Sequence, residues 1–233
     1  NFRMSSLINR KGRVSENEVV LDGVSKATIS VRIINQTVIS TALKVARAKL
    51  GFAHGRDASE VARVRQDLVE GKSWQELLDE GLVVHRRIYN RDVQKLFAGT
   101  SMADEDPVAL ASPDEPFIDL YLALVTVPTI GRSLFDDMAM EEITRYLEKG
   151  DHAILVMSSG RYSFIDEDFV RGATPRMLSV TQDKLPMDSR DLDVEVSPVL
   201  SGVPDMDAIK VFQISNHAGL DPGLKWQLSL HVP

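Results

Sequence analysis

The sequence predicts an α+β fold, with helices in the first half and a mainly antiparallel β-sheet in the second. Three observations predict it. Apolar residues step by three and four through residues 30–50, and β-type residues run almost unbroken from Phe117 to Val127. Short strand-like stretches set apart by turn residues then fill the chain after residue 150.

Taken in order, residues 1–23 alternate polar and apolar and read as extended. Ile34, Val38, Thr41, Val45 and Ala48 mark one face of a helix over residues 30–50, closed by Gly51 as a C-terminal cap. Asp57-Ala-Ser-Glu60 predicts a capping box for a helix reaching about Gly71. Ser73-Trp-Gln-Glu76 predicts a second, ending at Gly81. Val83 to Tyr89 reads as a strand and Asp92 to Phe97 as a short helix. Met102 to Pro116 holds five acids and three prolines and reads as an exposed loop. It divides a helical part, residues 1–101, from a β-rich part, residues 117–233, of what reads as one domain.

The run Phe117–Val127 suits a strand buried on both faces. A helix follows over about Asp137–Glu148, ended by Lys149-Gly150. Strands are expected at Ala153–Met157, Tyr162–Ile165, Arg176–Thr181, Ile209–Ser215 and Leu224–Val232, with Ser158-Ser159-Gly160 as a hairpin turn between the first two.

Composition excludes several function classes. With 233 residues and 43% hydrophobic the chain can bury a core unaided, and its net charge of −7 does not suit a nucleic-acid surface. There are no cysteines, so no disulfide, iron–sulfur cluster or thiolate zinc site can form within it. The five histidines, at 54, 85, 152, 217 and 231, show no metal-ligand spacing, and the acidic loop lacks an EF-hand pattern. The longest apolar run, about Leu120 to Ile130, falls short of the roughly 20 residues needed to span a bilayer. No signal peptide is visible. The chain starts without Met and stops straight after a strand-like run, as an excised segment would. No nucleophile elbow, P-loop or Rossmann glycine run is present, and no turnover chemistry is evident.

The informative stretch is Asp22-Gly-Val-Ser25-Lys26-Ala27-Thr28-Ile-Ser30, directly before the strongest helical pattern. A helix start rich in hydroxyls presents unpaired N–H groups and a partial positive charge, both favourable to phosphate, and Lys26 adds a full charge. Spacing alone favours the plainer reading, in which Thr28 or Ser30 is an N-cap worth about 1 kcal/mol.

Asp22-x-x-Ser25-x-Ala27-Thr28 resembles the flavinylation motif of FMN-binding domains, Asp-x-x-Ser/Thr-Gly-Ala-Thr. These domains occur in sodium-pumping NADH:quinone oxidoreductases and Rnf-type complexes. Lys26 stands where the wider family prefers glycine. The resemblance implies an FMN-binding-domain-like fold and an FMN joined through its phosphate to Thr28 by a flavin transferase of the ApbE type. Asp22, Ser25 and Ala27 are then the recognition residues. Protein made without the transferase is expected to lack flavin.

Further segments resemble the NosR/NirI regulators. They are Ile118-Asp-Leu-Tyr121, Pro128-Thr-Ile-Gly-Arg-Ser-Leu134, Gly160-Arg-Tyr-Ser-Phe164, Val170-Arg-Gly172, Gly219-Leu-Asp-Pro222 and Trp226-Gln-Leu228. The resemblance implies a periplasmic domain of an inner-membrane protein that supports expression and activity of nitrous oxide or nitrite reductase. Transmembrane helices and ferredoxin-type clusters then lie elsewhere in the parent. It also implies electron relay by the flavin, or alternatively a sensory or scaffold role for it.

Thr129-Ile130-Gly131-Arg132 is the expected flavin lining, leaving the buried strand at a Pro/Gly turn. Its place resembles a flavin-side loop of the related quinone reductase subunit. Gly131 would permit close backbone approach, and Arg132 would stabilise reduced, anionic flavin or else be a solvated turn residue. Tyr121 and Tyr162 could stack on the ring, although strand aromatics are more often core. Asp168-Phe-Val-Arg171-Gly172-Ala173-Thr174 copies the motif spacing. Arg171 replaces its hydroxyl residue, and Pro175 disfavours helix at Thr174, so Thr28 is preferred.

Overall fold

The computed structural model describes Thr41, Val45 and residues 61–100, 106–183, 185–216 and 219–231. Thr41 and Val45 are helical, as their spacing predicts; the rest of that helix and the whole Asp22–Thr28 stretch lie outside the described residues.

Ser73 caps α1 (Trp74–Asp79) with the predicted box: its hydroxyl accepts from the Glu76 N–H while Glu76 accepts from the Ser73 N–H at 2.8 Å. Strand β1 (Val83–Tyr89) and helix α2 (Asn90–Phe97) follow. The acidic stretch is not all loop. Pro107 at the first helical position and Asp106 as cap start a short helix, α3 (Pro107–Ala111), and Arg161 fixes that cap through both Asp106 oxygens.

The centre of the molecule is β2 (Pro116–Leu124) beside β3 (His152–Ser159), joined through α4 (Pro128–Leu134) and α5 (Asp137–Arg145). Then come β4 (Leu178–Gln182), β5 (Leu185–Met187), β6 (Ser189–Asp191), β7 (Ala208–Ile214) and β8 (Trp226–Leu230). One antiparallel sheet runs β1-β2-β3-β7-β6, and a second runs β5-β4-β8. The α+β class with an antiparallel sheet is what the pattern predicts.

Alternation along β2 and β3 feeds two cores. Tyr121, Ala123, Ala153, Leu155 and Met157 point to one face, against Trp74 and Leu77 of α1, Ile130 and Leu134 of α4, and Ile143 of α5. Ile118, Leu120, Ile154 and Val156 point to the other, against Leu178 and Val180 of the small sheet and Phe164. The described residues form three layers: helices, large sheet, small sheet. Each fully buried aliphatic or Phe side chain contributes about 1.5–3 kcal/mol before entropy is counted.

Four further expectations need correction. Residues 61–72 are not helical: they form neither helix nor strand, bend at 66–67 and are largely exposed, and side-chain acceptors elsewhere take the Ala62, Glu70 and Lys72 N–H groups. The Pro/Gly turn at residues 128–132 is helix α4, since Pro128 presets the first helical φ and Ile130 and Leu134 share a buried stripe. No hairpin forms at Ser158–Gly160, and Tyr162–Ile165 is not a strand. Gly160 (φ 116) carries the chain across the start of β2, with the Tyr162 N–H bonded to the Phe117 carbonyl at 2.8 Å. A Cβ there would come within 3.2 Å of the Phe117 oxygen.

Candidate functional site

Helix α4 carries the expected flavin-lining residues, and each side chain has a distinct setting. Ile130 is in the helix-side core together with Tyr121. Thr129 is 7% exposed, and its hydroxyl accepts from the Glu70 N–H at 3.2 Å and donates to the Leu68 carbonyl at 3.4 Å. Gly131 has ordinary helical backbone. A Cβ on it would strike the Val125 carbonyl oxygen and lie 2.8 Å from Met140 Cε. Its close approach is therefore to β2's end and to α5. Arg132 is exposed and makes no hydrogen bond or ion pair among the described residues.

Tyr121 lies at the centre of a group that sequence reading misses. Register places His85 opposite Tyr121 and Arg87 opposite Asp119, all on the helix-side face of β1 and β2. The Tyr121 and His85 rings stack, with centroids 4.3 Å apart and planes 6° from parallel, and Trp74 tilts against Tyr121 at 5.5 Å. Asp119 bonds His85 Nε2 through one carboxylate oxygen, and Arg87 Nη2 and Nε through the other. Burial pushes the Asp119 pKa up, but hydrogen bonds from Arg87 and His85 win and hold it below the usual carboxylate value. Burial, helped by the Asp119 charge, pushes the Tyr121 hydroxyl up and keeps it neutral. The arrangement orients a histidine: Asp119 holds the His85 ring through Nε2 while Tyr121 stacks on its face. The available signal was a lone carboxylate, Asp119, inside a run otherwise built for burial.

At the other end of β2, the Thr126 hydroxyl meets His152 Nδ1 at 3.1 Å, and burial lowers the His152 pKa despite Asp151 and Asp221 nearby. Among the described residues no group of three or more His, Asp or Glu is placed to hold a metal, and no helix is long and apolar enough to cross a membrane.

Tyr162 stacks on Phe117 at 4.8 Å, with its hydroxyl on the His231 carbonyl at 2.6 Å, in the layer opposite Tyr121. Thr174 is exposed outside any helix and is followed by buried Pro175. The structure thus brings Ile130 and Tyr121 into one core, with Thr129 and Gly131 beside Ile130 on α4. Asp22, Ser25, Lys26, Ala27 and Thr28 lie outside the described residues. On α4 the described residues present an exposed cation, Arg132, beside a mainly aromatic and aliphatic interior.

The chain is 34% identical over 226 residues to "Regulatory protein NosR" of Pseudomonas aeruginosa, covering 95% of this chain and 32% of that protein. It is 33% identical over 226 residues to "Regulatory protein NosR" of Stutzerimonas stutzeri, covering 95% and 31% respectively. The chain is of NosR/NirI type. A third relative, "Protein NirI" of Paracoccus denitrificans, is 28% identical over 189 residues, 81% of this chain and 26% of its own length. No protein-family model and no solved structure matches significantly. The chain spans about a third of the length of the NosR relatives.

The segments resembling NosR/NirI occupy defined places. Ile118–Tyr121 is in β2, Pro128–Leu134 is α4, and Gly160–Phe164 is the crossing over β2. In Val170-Arg-Gly172 the Gly172 N–H bonds Asp191 of β6 at 2.9 Å. In Gly219–Pro222 the Asp221 main chain exchanges two 2.8 Å hydrogen bonds with the Gln182 amide of β4.

Proposed function

We propose that this chain is the flavin-bearing segment of a NosR/NirI-type regulator. An FMN phosphate esterified to Thr28 would serve electron relay in support of nitrous oxide or nitrite reduction, in an FMN-binding-domain-like fold. The observation that carries this reading is Asp22-x-x-Ser25-x-Ala27-Thr28, in a chain related over 95% of its length to regulators named NosR. The setting it implies is periplasmic, on an inner-membrane protein whose transmembrane helices and ferredoxin-type clusters lie outside this chain. The partners it implies are an ApbE-type transferase and the nitrous oxide reductase system.

In the attachment step the Thr28 hydroxyl oxygen bonds to the FMN phosphorus of FAD. The pyrophosphate bond breaks, AMP leaves and the hydroxyl proton is released. The product phosphodiester stays anionic, which Lys26 favours by simple attraction. When bound, the flavin supplies electron exchange that no side chain of the chain can. The protein would contribute the rest: Asp22, Ser25 and Ala27 for recognition, the α4 face for position, and Arg132 as the cation available to a reduced, anionic ring. Tyr121 contributes to the interior on which α4 rests.

The test is intact-mass measurement of the chain made with and without the transferase. One esterified FMN is expected only with the transferase, and none on Thr28→Val. Equal masses in both preparations would defeat the reading. A second reading, favoured by the word "Regulatory" in the relatives' names, gives the flavin a sensory or scaffold role. It prevails if Thr28→Val cells keep reductase activity but lose its regulation.

A further inference from the structure

We propose that residues 61–72 form a latch, a strap held on α4 by side-chain acceptors that fixes where the preceding sixty residues are delivered. The inference rests on the flavin reading only where it concerns Thr28; the strap itself is a matter of geometry.

From Val61 to Lys72 the chain forms neither helix nor strand, and its side chains are mostly exposed. Hydrophobic burial therefore does little to keep it in place. Hydrogen bonds to side chains of other elements do so instead. The Ala62 N–H reaches Asp221 Oδ1 at 3.3 Å, in the loop before β8. Eight residues on, the Glu70 N–H bonds Thr129 Oγ1 at 3.2 Å, and the Lys72 N–H bonds Ser133 Oγ at 3.0 Å. Each hydroxyl also answers: Thr129 Oγ1 donates to the Leu68 carbonyl at 3.4 Å, and Ser133 Oγ to the Glu70 carbonyl at 3.5 Å.

The spacing explains the match. Two residues of extended chain advance roughly 6.7 Å, and four residues of α-helix advance roughly 6 Å. Hydroxyls at positions 129 and 133 of one helix face therefore meet alternate N–H groups, those of Glu70 and Lys72, of a chain that advances along the helix at that pitch. Either hydroxyl alone would set a contact; the pair sets a register. Lys72 then closes the strap onto α1 through Glu80 at 2.8 Å. The strap's N–H groups can turn to water when freed, so each attachment is weak, and the strap is releasable. Thr129, Ser133 and Asp221 are accordingly positioning residues for the segment that carries Thr28.

The test uses the full chain with Thr129→Val and Ser133→Ala combined. Hydrogen exchange at the Glu70 and Lys72 amides should rise about fivefold, the loss of one ordinary hydrogen bond, while amides of β2 and β3 stay unchanged. Thr129→Ser alone should keep the protection, because it keeps the acceptor. The chain has no cysteine, so a dye on Thr28→Cys is a unique probe of delivery. Its anisotropy should fall when the two hydroxyls are removed. Unchanged exchange at Glu70 and Lys72 would overturn the latch, and unchanged anisotropy would overturn its role in delivery. Neither readout needs flavin, so failure here is distinct from a failure of flavin to attach.

Discussion

Asp119 shows what one buried carboxylate needs. Its place in β2 alone would favour the protonated form. Arg87 and His85, both on the neighbouring strand, reverse that and keep it charged. A carboxyl held below its unfolded value of about 3.9 adds stability that is complete above that value. The stability is lost as pH falls through the lower folded value. Asp119→Asn should thus cost about 2 kcal/mol at neutral pH by urea unfolding, the range for breaking a partly buried charged hydrogen bond. The gap from the parent chain should shrink as both are titrated to pH values below the unfolded carboxylate value. A gap constant with pH would show that packing, not charge, is at stake. Tyr121 was legible in the sequence as a strand aromatic, but its partner His85 was not. That pairing exists only once β1 and β2 are in register, and one residue of slip would turn His85 to the other face.

Helix α4 is a case where one set of local residues is compatible with two structures. Pro128 and Gly131 are turn residues by habit, yet Pro at a first helical position and Gly under a crossing backbone are equally regular. What decides is packing, since only a residue without Cβ lets α4 lie against the Val125 carbonyl and Met140. Gly131→Ala should force α4 outward. A loss of about 1–3 kcal/mol is expected in thermal or urea unfolding, with far-UV helicity largely kept. A neutral or stabilising result, as helix propensity alone would give, would contradict the close approach. The strap of residues 61–72 departs from its helical pattern for a related reason: its capping signal, Asp57 to Glu60, lies before it, and the hydroxyls that hold its C-terminal end come from positions 129 and 133. By contrast α1, with cap, box and length all local, was legible outright.

The layers are joined by β2 and β3, whose alternating side chains build both cores at once. Neither core can dissolve without taking those strands with it, so the described body should unfold as one unit. The chain's two tryptophans make this measurable, because Trp74 lies in the helix-side core while Trp226 packs against the core between the sheets. Trp74→Phe and Trp226→Phe, each leaving one reporter, should give fluorescence midpoints that coincide with far-UV circular dichroism of the same variant. Separate midpoints would mean two cooperative units. The fold class was legible because strand and helix periods are local properties. The strand order was not, because the jump from β3 to β7 is set by which apolar faces meet after collapse.

That order also governs how the chain is made. As it leaves the ribosome, β3 emerges about sixty residues ahead of the strand that will flank it, since Ile154 pairs with Phe212. Until then β3 is an apolar ribbon with one open side, the kind of edge that invites pairing with another molecule. Closure over such sequence distances is slow. A nascent chain halted before Ala208 would therefore carry its stickiest strand uncovered, and would need a chaperone's company more than the finished protein does.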